Sequence, residues 1–182
     1  MNAVGIVTRF DAGSDGLASK SQELVLGLLA QSAFPFSGNQ YGPGHITCTA
    51  LVIHPSGPRV LMIHHHRLHR WLLPGGHVES FDVSLAAAAA REAREETNVQ
   101  LDPDFEPVLV GIDVHGIPSK RDEPYHLHHD LIWCFRALSE AIEQTDEAPQ
   151  VMWAAAGDME RLQVTESIRR SAERSKVFGP AR

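Results

Sequence analysis

The pattern of apolar and polar residues predicts strands before and after one central helix. Over 19–33, apolar residues recur at helical spacing, with Leu24 and Leu28 on one face, which predicts an amphipathic helix. The Pro- and Gly-rich FPFSGNQYGPG that follows indicates a connector. Two apolar runs, HITCTALVIH and RVLMIHHH, then predict a hairpin with its turn at PSGP.

The central helix is predicted over Val83–Thr97, where Ala, Arg and Glu all have high helix propensity. Asp82 or Ser84 is expected to cap its start. Asn98 tolerates the left-handed conformation that commonly closes a helix. The preceding RWLLPGGHVESFD is expected to be a loop with one short strand at best.

The segments after this helix predict three more strands and two short helices. The strands are FEPVLVGIDVHG, HLHHDLIWCFRAL and QVMWAA, and the helices are GDMERL and TESIRRSAERS. This order of elements indicates a layered domain of the α+β or α/β class.

The composition indicates one globular domain and excludes several classes of protein. Of 182 residues 43% are hydrophobic, enough for one domain with a substantial core. No apolar run of roughly 18 residues and no secretory signal is recognisable, so we expect a cytoplasmic protein without a membrane span. The net charge of −7 argues against nucleic-acid binding. Cys48 and Cys134 lie in apolar segments and are expected to be reduced and buried.

Three glutamates of the central helix lie where they repel one another. Glu92, Glu95 and Glu96 share one face, since a helix advances about 100° per residue, and each such pair costs roughly 0.2–0.5 kcal/mol. The simpler interpretation is a solvated face with Glu–Arg pairing. The preceding PGGHVE, with two glycines and Glu79, favours instead a hard divalent cation such as Mg²⁺, whose charge would relieve the repulsion.

The opposite side of this helix carries small apolar side chains that would let it approach a sheet closely. The expected stripe consists of Val83, Ala86, Ala87, Ala90 and Ala93.

The segment GGHVESFDVSLAAAAAREAREETNV resembles the Nudix box, in which a glycine, a carboxylate, an Arg-Glu pair and a Glu-Glu pair follow at fixed spacing. Three positions depart from that pattern. Asp82 replaces a glutamate, eight residues instead of seven separate it from Arg91, and Asn98 replaces the closing glycine. The departures concern the ends of the helix, and the Arg-Glu and Glu-Glu pairs are intact.

The resemblance implies the Nudix fold, an α+β architecture with a mixed β-sheet in an α/β/α sandwich and the loop–helix–loop of the family. It predicts an N-terminal helical extension and linker at 1–43, the Nudix domain at 44–157 and a C-terminal helical tail at 158–182.

The activity that the resemblance implies is hydrolysis of a nucleoside diphosphate linked to another group, with Mg²⁺ or Mn²⁺ as cofactor. Such substrates include nucleoside triphosphates, nucleotide sugars and dinucleotides. By position, Glu92, Glu95 and Glu96 are the expected metal ligands, and Glu92 is also a candidate base. The carbonyl of Gly75 matches a ligand of some members, and Arg91 would orient the glutamates.

Several residues outside the box are candidates for contacting the substrate. The candidates for phosphate binding are Arg67, Lys120 and Arg121, and those for the substrate cleft are His128 and Asp130, which share one face of a predicted strand with His126. A polar strand surface is the alternative for that face. Because some Nudix enzymes take their catalytic base from outside the box, Glu123 is the first candidate for that role and Asp130 the second.

The 11 histidines are the unusual feature of the composition, and most lie in IHHHRLHRW and PYHLHHDLIW. In the first cluster His64 and His66 share one strand face and His65 takes the other, and no paired cysteines accompany them. This spacing does not favour a zinc site there, and His64 and His66 could instead line a substrate cleft.

Two other functions are alternatives to hydrolysis. An isopentenyl-diphosphate isomerase of this fold would need a catalytic cysteine, and Cys48 lies in a predicted strand. A Nudix-like nucleotide-binding protein without catalysis would have no need of the complete glutamate set. The N-terminal helix offers a surface for a possible homodimer.

Overall fold

The computed structural model describes residues 2–66, 68–120 and 123–179. Within them the chain forms five helices and seven strands. In chain order these are α1 (Ala3–Thr8), α2 (Gly16–Gln31), β1 (His45–Ile53), β2 (Arg59–His65), β3 (Arg70–Leu72), β4 (Gly75–His77), α3 (Leu85–Thr97), β5 (Val108–Ile117), β6 (His126–Arg136), β7 (Val151–Ala155), α4 (Asp158–Arg161) and α5 (Glu166–Arg174).

The strands form one mixed sheet in the order β3-β2-β1-β6-β5, with β4 paired to β1 and β7 paired to β2. The central pair, β1 and β6, is parallel, and the other pairs are antiparallel. One edge of β1 is divided between two partners. It pairs with β4 over residues 47–49 and with β2 at Ile53, and between them the Ala50 N–H donates to the Pro74 carbonyl at 2.8 Å.

Helices cover both faces of this sheet. On one face, Val7 of α1, Val25 of α2 and Leu85 of α3 belong to one buried apolar cluster with side chains of β1 and β6. On the other face, Met159 of α4 and Ile168 of α5 pack in a second cluster with alternate residues of the same strands. The predicted α+β fold, an α/β/α sandwich around a mixed sheet, is therefore confirmed.

The central helix is shorter at its start than predicted. Ser84 is its cap, because the Ser84 hydroxyl accepts from the Ala87 N–H at 3.0 Å, and Val83 lies outside the helix with 88% of its surface exposed. The buried apolar stripe consequently begins at Leu85. The helix ends at Thr97, and Asn98 adopts the predicted left-handed conformation with a φ of 52°.

Other differences from the sequence prediction concern short elements. Two strands, β3 and β4, form where one at best was expected, because three residues suffice when a longer strand is available to pair with. Helix α1 was not predicted, since six residues are too few for a helical period. Cys48 and Cys134 are buried free thiols, as predicted.

No helix in the described ranges is long and apolar enough to cross a membrane. On α2, Leu17 and Leu24 stay exposed, and the homodimer remains a prediction.

Helix α2 begins three residues earlier than predicted because Asp15 caps it. The Asp15 carboxylate accepts from the Leu17 and Ala18 N–H groups, both at 3.1 Å, and also pairs with Arg174 of α5. Burial alone would raise the pKa of Asp15, but the helix N–H groups and Arg174 outweigh burial, so that the pKa lies below its ordinary value. This carboxylate joins the N-terminal helices to the opposite layer.

We expect Asp15→Ala to lower the free energy of unfolding by about 1–2 kcal/mol at pH 7, because the helix loses its cap. Since the pKa is depressed in the folded state, the stabilisation is complete above the unfolded value near 3.8 and disappears as the pH falls through the folded value. Urea unfolding at pH 7 and at pH 3 should therefore show a smaller difference from wild type at pH 3. Asp104→Ala, at an exposed turn, is the matched control; equal losses at both pH values would contradict the electrostatic account.

Candidate functional site

One guanidinium, that of Arg91 on α3, connects the acidic groups of the site. Its Nε and Nη2 donate to the two oxygens of Asp82 at 3.1 and 3.0 Å, and its Nη1 donates to Glu92 and Glu95, both at 2.8 Å. Nη2 also donates to the His77 carbonyl at 2.9 Å. Only 17% of the Arg91 side chain is exposed, so its charge-assisted bonds to Asp82 and Glu92 are largely shielded from water, whereas the Glu95 side chain is 54% exposed. Arg91 thus joins the glycine loop to the helix.

The Asp82 carboxylate is a partner of this guanidinium and does not cap the helix. It also accepts from the Glu79 N–H at 2.8 Å, which closes the turn after β4. Burial raises the pKa of Asp82, but the bonds from Arg91 and the Glu79 N–H outweigh it and hold the pKa below its ordinary value. The aspartate that departs from the Nudix pattern therefore has a defined structural role.

Glu96 is the most buried of the three helix glutamates, with 5% of its surface exposed. Its Oε2 accepts from the Gly75 N–H at 2.9 Å. Burial raises the pKa of Glu96 to about 8, the Gly75 N–H opposes this, and the charges of Glu92 and Glu147 add to it. Burial raises the pKa of Glu92 as well. A divalent cation beside these groups would favour their ionised forms.

The glycines of β4 allow its backbone to lie directly against the helix and the central strand. A Cβ at Gly76 would lie 2.7 Å from the Glu92 carboxyl carbon, and one at Gly75 would lie 2.6 Å from the Thr49 hydroxyl. Real Cβ atoms do not approach so closely. Any side chain at Gly76 would therefore displace Glu92.

The donors gathered here fit a hard divalent cation, since Mg²⁺ and Mn²⁺ prefer carboxylate and carbonyl oxygens. Glu92, Glu95 and Glu96 are the residues that would hold it. In the described ranges these three carboxylates do not all lie within 4.8 Å of one another. The Arg91 guanidinium donates to Glu92 and Glu95, whereas the Gly75 N–H donates to Glu96.

Glu147 is a site residue that sequence reasoning missed. Its charge raises the pKa of both Glu92 and Glu96, and the residue is exposed. The loop that carries it is attached to the end of that helix, because the Thr145 hydroxyl donates to the Glu96 carbonyl at 2.9 Å. No sequence motif marks this loop, and only the folded chain brings it to α3.

Of the candidates in the β5–β6 loop, Glu123 lines a cleft, and Lys120 is paired to Glu123 through the backbone. Lys120 and Glu123 exchange two backbone hydrogen bonds of 2.8 Å, and Lys120 is exposed. Glu123 lines a cleft of about 630 Å³ together with His77, Glu79 and Asp82. Of the other phosphate-binding candidates, Arg67 and Arg121 lie outside the described residues.

Asp130 and His128 share a face of β6, as predicted, but each has a partner of its own. The Asp130 carboxylate accepts from the hydroxyls of Thr47 and Thr49 on β1, both at 2.9 Å, and the residue is 6% exposed. His128 lies 3.3 Å from His126, Nε2 to Nε2. Asp130 therefore ties the two central strands together, and its part in substrate binding remains a prediction.

Cys48 lies on β1 with no exposed surface. Burial raises the pKa of its thiol well above the ordinary value, so it is not ionised at neutral pH. This environment disfavours a catalytic thiol, which the isomerase alternative requires.

The profile of the NUDIX domain family matches residues 44–174. The chain belongs to the Nudix family. This confirms the resemblance seen in the sequence, and the fold agrees with it. No curated protein matches the sequence.

Solved Nudix structures resemble this chain at low identity. The NUDIX domain of Shewanella oneidensis NrtR, complexed with ADP ribose, gives a TM-score of 0.57 at 18% identity, covering 82% of this chain and 95% of that one. A NUDIX hydrolase from Nitrosomonas europaea gives 0.54 at 16%, covering 72% and 88%. The dihydroneopterin triphosphate pyrophosphohydrolase of E. coli gives 0.53 at 21%, covering 70% and 92%. At these identities the likeness shows the fold alone.

We expect Gly76→Ala to weaken Mn²⁺ binding by about 10–100-fold, because the new methyl group displaces the Glu92 carboxylate. Calorimetric titration of the folded variant measures the change. Gly27→Ala is the control, since nothing lies within 4 Å of a Cβ on this α2 glycine, and it should leave Mn²⁺ binding unchanged. Unaltered affinity in Gly76→Ala would separate Glu92 from the metal.

Proposed function

We propose that this Nudix chain is a metal-dependent pyrophosphohydrolase that cleaves the diphosphate linkage of a nucleoside diphosphate joined to another group. The observation that carries the proposal is the arrangement around Arg91. One shielded guanidinium holds Glu92 and Glu95 on the same face of α3 as the buried Glu96, directly against the glycines of β4. A solvated charged surface would need neither the burial nor the close backbone approach.

The chemistry divides between the ion and the side chains. When bound, Mg²⁺ or Mn²⁺ would neutralise diphosphate charge and lower the pKa of a water molecule. Glu92, Glu95 and Glu96 would hold the ion, and Arg91 keeps Glu92 and Glu95 in place. Within the box, Glu92 is the alternative candidate for the base, since burial raises its pKa.

The cleft lined by Glu79, Asp82 and Glu123 is the proposed binding site of the substrate. Its volume of about 630 Å³ is within the range of small-molecule sites. Phe36 and Tyr41 line it together with Glu79 and Asp82, so it offers aromatic surface to a base. Its connection to the helix glutamates is Asp82, which accepts from the same guanidinium as Glu92. Lys120, with Arg67 and Arg121, remains a proposed phosphate contact. The proposed substrate is a nucleotide-type small molecule. The proposed location of the protein is the cytoplasm.

Three carboxylates outside the box are candidates for the catalytic base. Asp130 is the weakest of them, because it is buried and accepts from the hydroxyls of Thr47 and Thr49. Glu123 lines the cleft, and its charge acts on His77. Glu147 acts on both Glu92 and Glu96, the groups expected beside the reacting phosphate. We therefore favour Glu147 over Glu123.

The proposed activity is tested with a panel of nucleoside triphosphates, ADP-ribose, nucleotide sugars, dinucleotides and isopentenyl diphosphate, with Mg²⁺ or Mn²⁺. Phosphate release after phosphatase treatment, with isomer analysis for the last compound, is the readout. We expect Glu95→Gln to lower turnover of the best substrate at least about 100-fold while the thermal transition stays unchanged, because a metal-binding charge is lost.

Glu23→Gln, on the exposed face of α2, is the matched control and should retain full turnover. Full turnover in Glu95→Gln would remove Glu95 from the metal site. A folded, metal-binding protein that hydrolyses nothing on the panel would support nucleotide binding without catalysis.

For the base, we expect Glu147→Gln to lower kcat by about 10²–10⁴-fold with little change in KM, as loss of a general base does. Glu123→Gln, whose side chain lines the cleft, is expected to act mainly on KM. Steady-state kinetics of both variants on the best substrate decide between them. The reverse pattern would restore Glu123 as the base.

A further inference from the structure

Three histidines from three different strands meet beside the cleft, separately from the glutamate face. His45, His77 and His128 each offer one ring nitrogen, and these nitrogens all lie within 4.8 Å of one another. The ring centroids are 4.9 Å apart for His45–His77 and for His45–His128, and 5.6 Å apart for His77–His128.

The sheet itself produces this meeting. His45 begins β1 and lies opposite His128 in the parallel register with β6. On the other edge of β1, Thr47 pairs with His77, the last residue of β4. Each residue therefore occupies a position that strand pairing determines.

The hydrogen bonds of His45 leave one ring nitrogen as an unused acceptor. Its Nδ1 donates to the Gln40 carbonyl at 3.1 Å, so the neutral ring carries its lone pair on Nε2. His45 has no exposed surface, and within the described part of the chain its Nε2 has no hydrogen-bond partner. A buried lone pair is unfavourable unless a hydrogen-bond donor or a cation faces it, and the neighbouring rings of His77 and His128 suit the second.

Burial favours the neutral form of all three rings. Burial lowers the pKa of His45 to about 4 and that of His128 to about 2, and it also lowers the pKa of His77. Neutral imidazole is the form that binds metal. The His126 Nδ1 donates to the Pro124 carbonyl at 2.9 Å, so its Nε2 faces His128 as an acceptor, as supporting groups behind metal-bound histidines commonly do.

We propose that His45, His77 and His128 bind a divalent transition ion of the zinc type, at a site distinct from the carboxylates of α3. Imidazole nitrogen suits such ions, whereas carboxylate oxygen suits Mg²⁺ and Mn²⁺. Three histidines leave a fourth position open. His77 is exposed and lines the cleft, and Glu79 and Glu123 place negative charge beside His77.

The experiment is a Co²⁺ titration of the metal-free full chain, followed by visible absorption and then by displacement with Zn²⁺. We expect one equivalent of Co²⁺ with the intense bands of a four-coordinate site, displaced by Zn²⁺ and not by millimolar Mg²⁺. His77→Gln should weaken Co²⁺ binding more than about 100-fold, since it removes a direct ligand. His77 is exposed, so its replacement leaves the core intact.

The control variant is His66→Gln, at an exposed histidine outside the cluster, which should bind Co²⁺ like the wild type. Glu95→Gln should also keep Co²⁺ binding, so that failure of the glutamate site and failure of this site give different results. His128→Gln provides a second test, with circular dichroism to show that each variant is folded. The proposal is overturned if the wild type takes up neither ion, or if both His77→Gln and His128→Gln bind Co²⁺ as tightly as the wild type.

Discussion

The shielded guanidinium of Arg91 is the interaction on which the acidic site depends. It offers five donors in a planar fork, and here they reach three carboxylates and a backbone carbonyl. Without it, Asp82 and Glu92 would be buried charges without a counter-ion, which is strongly unfavourable. The like-charge spacing that is costly on an isolated helix is thus tolerated because one cation faces it, and a lysine could not replace the fork.

Close packing between α3 and the sheet is the second requirement. Ala88, Ala89 and Ala93 have no exposed surface, so the helix lies near β1 and β4 without large side chains between them. Gly75 and Gly76 remove the remaining obstacle from the strand side. Small residues on both sides therefore let the Gly75 N–H reach Glu96 and let Glu92 lie against the backbone.

Local signals in the sequence predicted the long elements and the glutamate face, because periodicity, propensity and the Nudix spacing act within short segments. They did not predict β3 and β4, whose three residues depend on pairing with distant strands. They did not indicate Glu147, since only the bond from Thr145 to α3 brings its loop to the site. The adjacent histidines of IHHHRLHRW are conspicuous in the sequence, but the three histidines that meet in the structure, His45, His77 and His128, come from separate strands.

The parallel pairing of β1 with β6 also has a consequence for how the chain folds. Thr47 and Asp130, which hydrogen-bond across this pair, are 83 residues apart. Contacts of such long sequence separation form slowly, because a large loop must close before they contribute. During synthesis, β1 cannot pair with β6 until most of the chain has left the ribosome. Its open edge is then the place at which newly made molecules can associate wrongly.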